Sequence, residues 1–201
     1  KVFFVGNTMI DTLLKFQTKL KQPKIWNDLN LTANSFLVLT LHRPANVDEE
    51  KNIKNTLLAI IHSSKDIPLI FPAHPRTALK LEAIGIQAKN LHIISSLSYL
   101  EFNYLVKHAK GVITDSGGIT EETTVMGIPC ITLRDNTERP ETISVGTNEL
   151  IGTNPTVIKG LTAKKKLDPL LLNRWTPFVR AFILNPGNIK DLADQAKRGW
   201  A

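Results

Sequence analysis

Gly111-Val112-Ile113-Thr114-Asp115-Ser116-Gly117-Gly118-Ile119-Thr120-Glu121-Glu122 is the stretch on which the fold turns. It reads as a strand ending at Thr114, a glycine turn, and a helix that opens at Gly118 or Ile119. Glycines let the backbone approach a ligand closely, and their N–H groups, with the helix N-terminus, form an anion-binding concavity. Ser116 adds a hydroxyl donor, and a diphosphate fits that physics. A plain tight turn, with Asp115 or Ser116 capping the helix, accounts for the same residues. Within the helix Ile119, Thr123 and Met126 form the buried stripe, which sends Glu121 into water. Glu122 then lies on the rim of the stripe, one turn after Gly118, on the glycine-loop side. A carboxylate there can accept two hydrogen bonds from a vicinal diol such as a ribose, or act as a helix-dipole partner.

Working outward, the same alternation recurs. Residues 36–41, 67–73, 91–94, 128–133 and 149–151 are short apolar, β-branched runs, and Gly127 and Pro129 stop the helix before one of them. Ile53, Leu57, Ile60 and Ile61 stripe a helix with Asp48 as N-cap, and Ser98 opens another that runs to His108. A further helix follows Thr153 or Asn154, with Pro155 at its first position, and a terminal one covers residues 186–201. Strands that lack polar alternation, separated by helices, predict an α/β fold: a Rossmann-like parallel sheet with helices on both faces. Ligands of such sheets sit beyond the carboxyl ends of the strands.

The strand-end residues are therefore the candidates. His42-Arg43-Pro44 follows one strand and His74-Pro75-Arg76 the next, with acid–base or phosphate-facing roles open to them. Arg134-Asp135-Asn136-Thr137-Glu138-Arg139-Pro140-Glu141 follows another. Its Arg139 stands on stiff backbone before Pro140 and can present a planar cationic fork to a phosphate. The alternative is a surface loop laced with ion pairs. Phe102 is either core or a stacking surface for a base, and Cys130 reads as a small buried hydrophobe.

Composition narrows the classes. The 201 residues carry 25 Lys and Arg against 18 Asp and Glu, a net charge of +7, which suits an anionic ligand. Nucleic acid is disfavoured because aromatics are only 6% and are not interleaved with the basic residues. The lysines at 164–166 and the pair Lys197-Arg198 read as solvated faces. No run approaches the roughly 18 apolar residues of a membrane span. One cysteine excludes a disulfide framework, and no His-x-His or HExxH spacing invites a metal. A cytoplasmic, reducing compartment is expected. The chain starts at Lys1, and Val2-Phe3-Phe4-Val5 reads as a strand from the middle of a longer protein.

Taken in order, Leu41-His42-Arg43-Pro44, Asn46, Pro72-Ala73-His74-Pro75, Tyr99-Leu100-Glu101-Phe102, the stretch 114–122, Gly127-Ile128-Pro129 and the stretch 134–141 closely resemble the non-hydrolysing UDP-N-acetylglucosamine 2-epimerases. The resemblance implies a GT-B-like enzyme of two Rossmann-like domains, of which this chain is the C-terminal, nucleotide-binding one. Residues 1–22 would be the end of the first domain and a connecting helix, 23–185 the UDP-binding domain, and 186–201 a helix crossing back. It further implies that Ser116, Gly117 and Gly118 hold the diphosphate, Glu122 the ribose, and Arg139 a phosphate. Phe102 and the backbone near Leu97 would face the uracil. His42 would be catalytic, with Arg43 and His74 also on the substrate.

The reaction implied interconverts UDP-GlcNAc and UDP-ManNAc by loss and re-addition of UDP, with no cofactor and no metal, in polysaccharide biosynthesis. A homodimer is implied for the full-length protein. Departures are Ala45, where many bacterial members carry Glu, and Asn136, where Thr is commoner. The family's essential carboxylates belong to the first domain, so this chain alone is expected to bind UDP-sugar without turning it over. A GT-B glycosyltransferase donor domain and a hydrolysing epimerase are the alternatives.

Overall fold

The computed structural model describes residues 7–154 and Val157. The strand at Val2–Val5, the helix following Asn154, the lysines at 164–166 and the terminal helix with Lys197-Arg198 lie outside the described residues.

Six strands form one parallel sheet: β1 Leu37–Thr40, β2 Leu69–Ala73, β3 Leu91–Ser95, β4 Gly111–Thr114, β5 Cys130–Thr132 and β6 Asn148–Leu150. Their spatial order is β3-β2-β1-β4-β5-β6, with Val38 paired to Ile70 on one side and to Val112 on the other. The order reverses between β1 and β4, so the crevice at the carboxyl ends of those two strands is the switch point of the sheet.

Both faces are covered, which is why the strands carry no polar alternation. Helices α4 (Glu50–Ser64) and α5 (Pro75–Ile84) pack on one face, where Ile53, Leu57, Ile60 and Leu81 meet Leu39, Leu69, Phe71, Ile113 and Leu133. On the other face Leu105 and Val106 of α6 (Tyr99–His108) and Ile119 and Met126 of α7 (Gly117–Met126) meet Phe36, Val38, Ile70, Val112 and Cys130. Trp26, from the short α2 (Lys24–Asp28), closes that cluster edge-on against Phe36. Successive strand residues thus serve opposite cores.

The predicted α/β parallel sheet is the observed one, with shifted boundaries. Pairing on β5 begins at Cys130, after Pro129, which has no N–H to give to a ladder. Ser98 opens α6 with a reciprocal capping box to Glu101. Asp48, expected as the N-cap of α4, instead terminates the short α3 (Pro44–Val47) and pairs with Lys80 at 2.9 Å and Arg76 at 3.7 Å. Glu49 stands at the N-cap position without a side-chain cap bond, its carboxylate accepting instead from Asn52 Nδ2 at 2.8 Å. The whole of α5 was not expected, although Pro75 at its first position and Gly85 at φ 65° beyond its end are ordinary start and stop signals. A helix α1 (Thr8–Phe16) precedes the sheet and rests on α7.

Phe71 is fully buried in β2. Phe71→Ala is expected to cost about 3–5 kcal/mol, read in urea as a lower midpoint with an unchanged slope.

Candidate functional site

The crevice between β1 and β4 is organised by a carboxylate. β4 ends on Thr114, whose hydroxyl lies 2.6 Å from that of Thr40 on β1. The next residue, Asp115, has no exposure and turns its side chain back across the switch point. It accepts from the backbone N–H groups of His42 and Arg43 at 3.1 and 2.9 Å and from Asn46 Nδ2 at 3.0 Å. His42 Nδ1 lies 2.7 Å from its other oxygen. Asn46 Nδ2 also donates to the carbonyl of Leu133, at the end of β5. One side chain therefore fixes the turn after β1 relative to β4 and β5.

The electrostatics follow. The hydrogen bond to Asp115 raises the His42 imidazole above its usual 6.5, outweighing partial burial and the opposing charges of Arg43 and Arg134. Burial works to raise the Asp115 carboxyl, but the hydrogen bonds from His42, Asn46 and the Arg43 N–H prevail and hold it below the usual range. With Nδ1 engaged, Nε2 is the ring nitrogen left to other partners, and the His42 side chain is 59% exposed.

Around this centre stand three arginines. Arg43 donates through Nε to the Asp115 carbonyl at 3.1 Å and reaches Glu138 with Nη2 at 3.5 Å. Arg134 is buried and grips Glu138 with a two-pronged bond, 2.7 and 2.8 Å. This pairing pulls the Glu138 carboxyl down to about 2. Arg139 Nε lies 2.7 Å from Glu121 Oε1. The 134–141 loop is thus partly the ion-paired loop of the alternative reading, but a folded one built against α7: Gly117 has Glu138 and Arg134 next to it.

Helix α7 starts in this cluster. Ser116 takes the N-cap position, yet its side chain makes no cap bond, and Asp115 is committed elsewhere. The plain capped-turn reading is therefore overturned. An α-helix that begins without a cap keeps its first N–H groups and its positive end for an external acceptor. Gly118 lies under Met9 of α1: a Cβ there would fall 2.6 Å from the Met9 methyl.

The two glutamates of α7 part company. Glu122 is buried and accepts from the Tyr99 hydroxyl of α6 at 2.9 Å; burial raises its carboxyl above the usual value, with Glu121 adding to the effect. Tyr99 and Glu122, with Thr8, Met9 and Thr12 of α1, line a pocket of 220 Å³. Glu121, predicted to face water, is also buried, because α1 and the 134–141 loop cover the side of α7 that faces away from the sheet.

The structure brings His42, Arg43, Ser116, Gly117 and Gly118 to the switch point, with Arg139 and Glu122 held along α7. His74 stands at the end of β2 and caps α5, its Nδ1 accepting weakly from the Arg76 N–H at 3.4 Å; among the described residues no hydrogen bond joins it to the His42 cluster. Leu97 and Phe102 follow β3 and are half-buried against the second core cluster, next to Tyr99 in chain order. Cys130 is buried, and burial pushes its thiol up to about 12, as suits a small hydrophobe. Sequence reasoning gave no role to Asp115 beyond capping, or to Asn46, Tyr99, Arg134 and Glu138. The signals available were Asp115 directly after a strand, Tyr99 three residues before Phe102, and the Arg134/Glu138 spacing of four.

An open parallel sheet with its candidate side chains gathered at the switch point defines the class, a Rossmann-like α/β domain of the GT-B-like kind. A glycosyltransferase of kitacinnamycin shares that fold at a TM-score of 0.54 and 12% identity. More specifically, the chain belongs to the UDP-N-acetylglucosamine 2-epimerase family, whose model matches residues 1–172. It is 40% identical over 164 residues to the UDP-N-acetylglucosamine 2-epimerase of Methanocaldococcus jannaschii, covering 77% of this chain and 45% of that protein. The structure of the M. jannaschii enzyme in complex with UDP-GlcNAc and UDP superposes at a TM-score of 0.71, with 34% identity over 92% of this chain and 55% of the other. The chain spans about half the length of the relatives it matches.

The His42–Asp115 pair carries a pH dependence. A histidine whose value is raised by folding adds stability that is complete below 6.5 and fades as pH rises through its elevated folded value. Proton NMR titration of the His42 ring is expected to give a midpoint above 6.5 that falls in Asp115→Asn. Unfolding free energy should decline over the same interval in the wild type, and more weakly in the variant.

Proposed function

We propose that this chain is the UDP-binding half of a UDP-N-acetylglucosamine 2-epimerase, interconverting UDP-GlcNAc and UDP-ManNAc when the protein is complete. The observation that carries the reading is the uncapped α7 N-terminus opening among three arginines at the switch point. A diphosphate there receives the N–H groups of Gly117 and Gly118, the Ser116 hydroxyl and the positive end of the helix. Arg139 supplies a charged fork on the loop side. Glu122 accepts the ribose diol, and its raised carboxyl value reflects a site closed from bulk water on one side. Phe102 and the Leu97 backbone flank the uracil. Arg43 and His74 border the sugar end, beyond β1 and β2.

In such a reaction UDP leaves as the C2 proton is removed, and returns after a proton is delivered to the opposite face. Departure builds negative charge on the β-phosphate, which the helix terminus and arginines stabilise most when the bond is broken. His42 is the acid–base group of this half, its ring orientation held by Asp115. The scheme draws on no cofactor or metal, and the carboxylates that complete it are assigned to the other half of the enzyme. The full-length protein is assigned to the cytoplasm, as a homodimer feeding polysaccharide assembly.

Isothermal calorimetry on the 201-residue chain tests the site. UDP is expected to bind, and Glu122→Ala and Arg139→Ala each to weaken it roughly 10- to 100-fold, the worth of a lost charge-assisted bond. Absence of UDP binding at millimolar concentration sinks the assignment. For the complete protein, UDP-GlcNAc alone should give UDP-ManNAc without accumulating UDP. Stoichiometric UDP release marks a hydrolysing epimerase, and no reaction without an acceptor marks a transferase.

A further inference from the structure

We infer that Glu121 is a positioning residue for Arg139, held in turn by Asn7, so that the helix entering the domain sets the arginine offered to the ligand; the inference rests on the UDP-site reading above. Three observations carry it.

First, Glu121 is a carboxylate only 8% exposed, on the face of α7 where sequence phase predicted water. A charge withdrawn from solvent persists only with partners. Among the described residues two partners converge on one atom: Arg139 Nε and Asn7 Nδ2 each lie 2.7 Å from Oε1.

Second, the ion pair with Arg139 is made at Nε, the inner nitrogen of the guanidinium, 2.7 Å from Oε1, while Nη1 donates to the Glu138 carbonyl at 3.2 Å. Two contacts orient the group, while 43% of the side chain remains exposed and Nη2 makes no hydrogen bond with the described residues. An arginine bound this way is already oriented, so less side-chain freedom is lost when it meets an anion. Glu121 lies one turn along α7 from Gly117, and its side chain leans toward the helix N-terminus. Arg139 is thereby tied beside the turn that opens to the diphosphate.

Third, Asn7 is committed on both ends of its amide. Its Oδ1 caps α1, accepting from the N–H groups of Met9 and Ile10 at 3.1 and 3.3 Å, while Nδ2 holds Glu121. Met9 covers Gly118 in the same turn. The start of α1 is thus fastened to the start of α7, and any displacement of α1 changes what Oε1 has left for Arg139.

The test is a double-mutant cycle in the full chain, read by calorimetry with UDP. Glu121→Gln keeps size and burial but removes the charge, and should weaken UDP about tenfold although Glu121 touches no ligand. In an Arg139→Ala background the same substitution should change affinity less than twofold. Asn7→Ala should give a smaller loss that also vanishes in that background. An unchanged affinity for Glu121→Gln, or an equal loss with and without Arg139, overturns the proposal. A purely structural role would give additive losses together with a lowered melting temperature. Independently, the Arg139 Nε–H resonance of the ligand-free wild type should be resolved and slow to exchange, and become solvent-averaged in Asn7→Ala. Rapid exchange in the wild type refutes the positioning role whether or not UDP binds, and failure of UDP to bind with a protected Nε–H refutes the site reading alone.

Discussion

The buried carboxylate of Asp115 is the constraint on which the ligand crevice depends. Parallel strands leave their ends unlinked, since each connection crosses the sheet through a helix. At the switch point, where β1 and β4 diverge into oppositely progressing halves, something other than the ladder must hold the loops together. Asp115 does so by accepting from two backbone N–H groups, an amide and an imidazole, while Asn46 extends the network to β5. Such a group is tolerated only because its bonds are met; removing one partner would leave a charge stranded in the core.

Around that anchor, helix α7 divides its labour by face. Ile119 and Met126 face the sheet, Glu122 turns to Tyr99 on α6, and Glu121 turns to Asn7 and the loop after β5. The glycines at its start are fitted into this crowding, Gly118 beneath Met9 and Gly117 beside Glu138 and Arg134. The helix end stays uncapped because the one carboxylate that could have capped it is engaged with the turn after β1. Anchor and binding surface are in that sense the same decision, made at Asp115.

Much of this was legible in the chain. Non-alternating strands between helices gave the α/β class, and β4 and α6 were located to the residue, because Gly111, Ser98 and the capping box are local signals. The glycine turn, His42, Arg43 and Arg139 stand out as candidates because ligands of parallel sheets gather at strand ends. Apart from α5, whose start and stop signals are local, what failed required a third element. Helical phase placed Glu121 in water, since a single amphipathic stripe knows only one neighbour, the sheet; α1 and the 134–141 loop bury the other side. Asp48 looked like a cap from its position, and was drawn instead to Lys80 and Arg76 on α5.

The sequence by itself determined the order of strands and helices, the glycine turn and the residue types available at each strand end. These depend on periodicity, turn chemistry and φ preferences, which act over a few residues. Only the tertiary structure decided which charges meet which: Asp115 with His42, Arg134 with Glu138, Glu121 with Arg139 and Asn7. Those pairings join residues up to 114 positions apart, and no local preference selects them. They are fixed by the cost of burying a charge without a partner, a cost that exists only once the elements have packed.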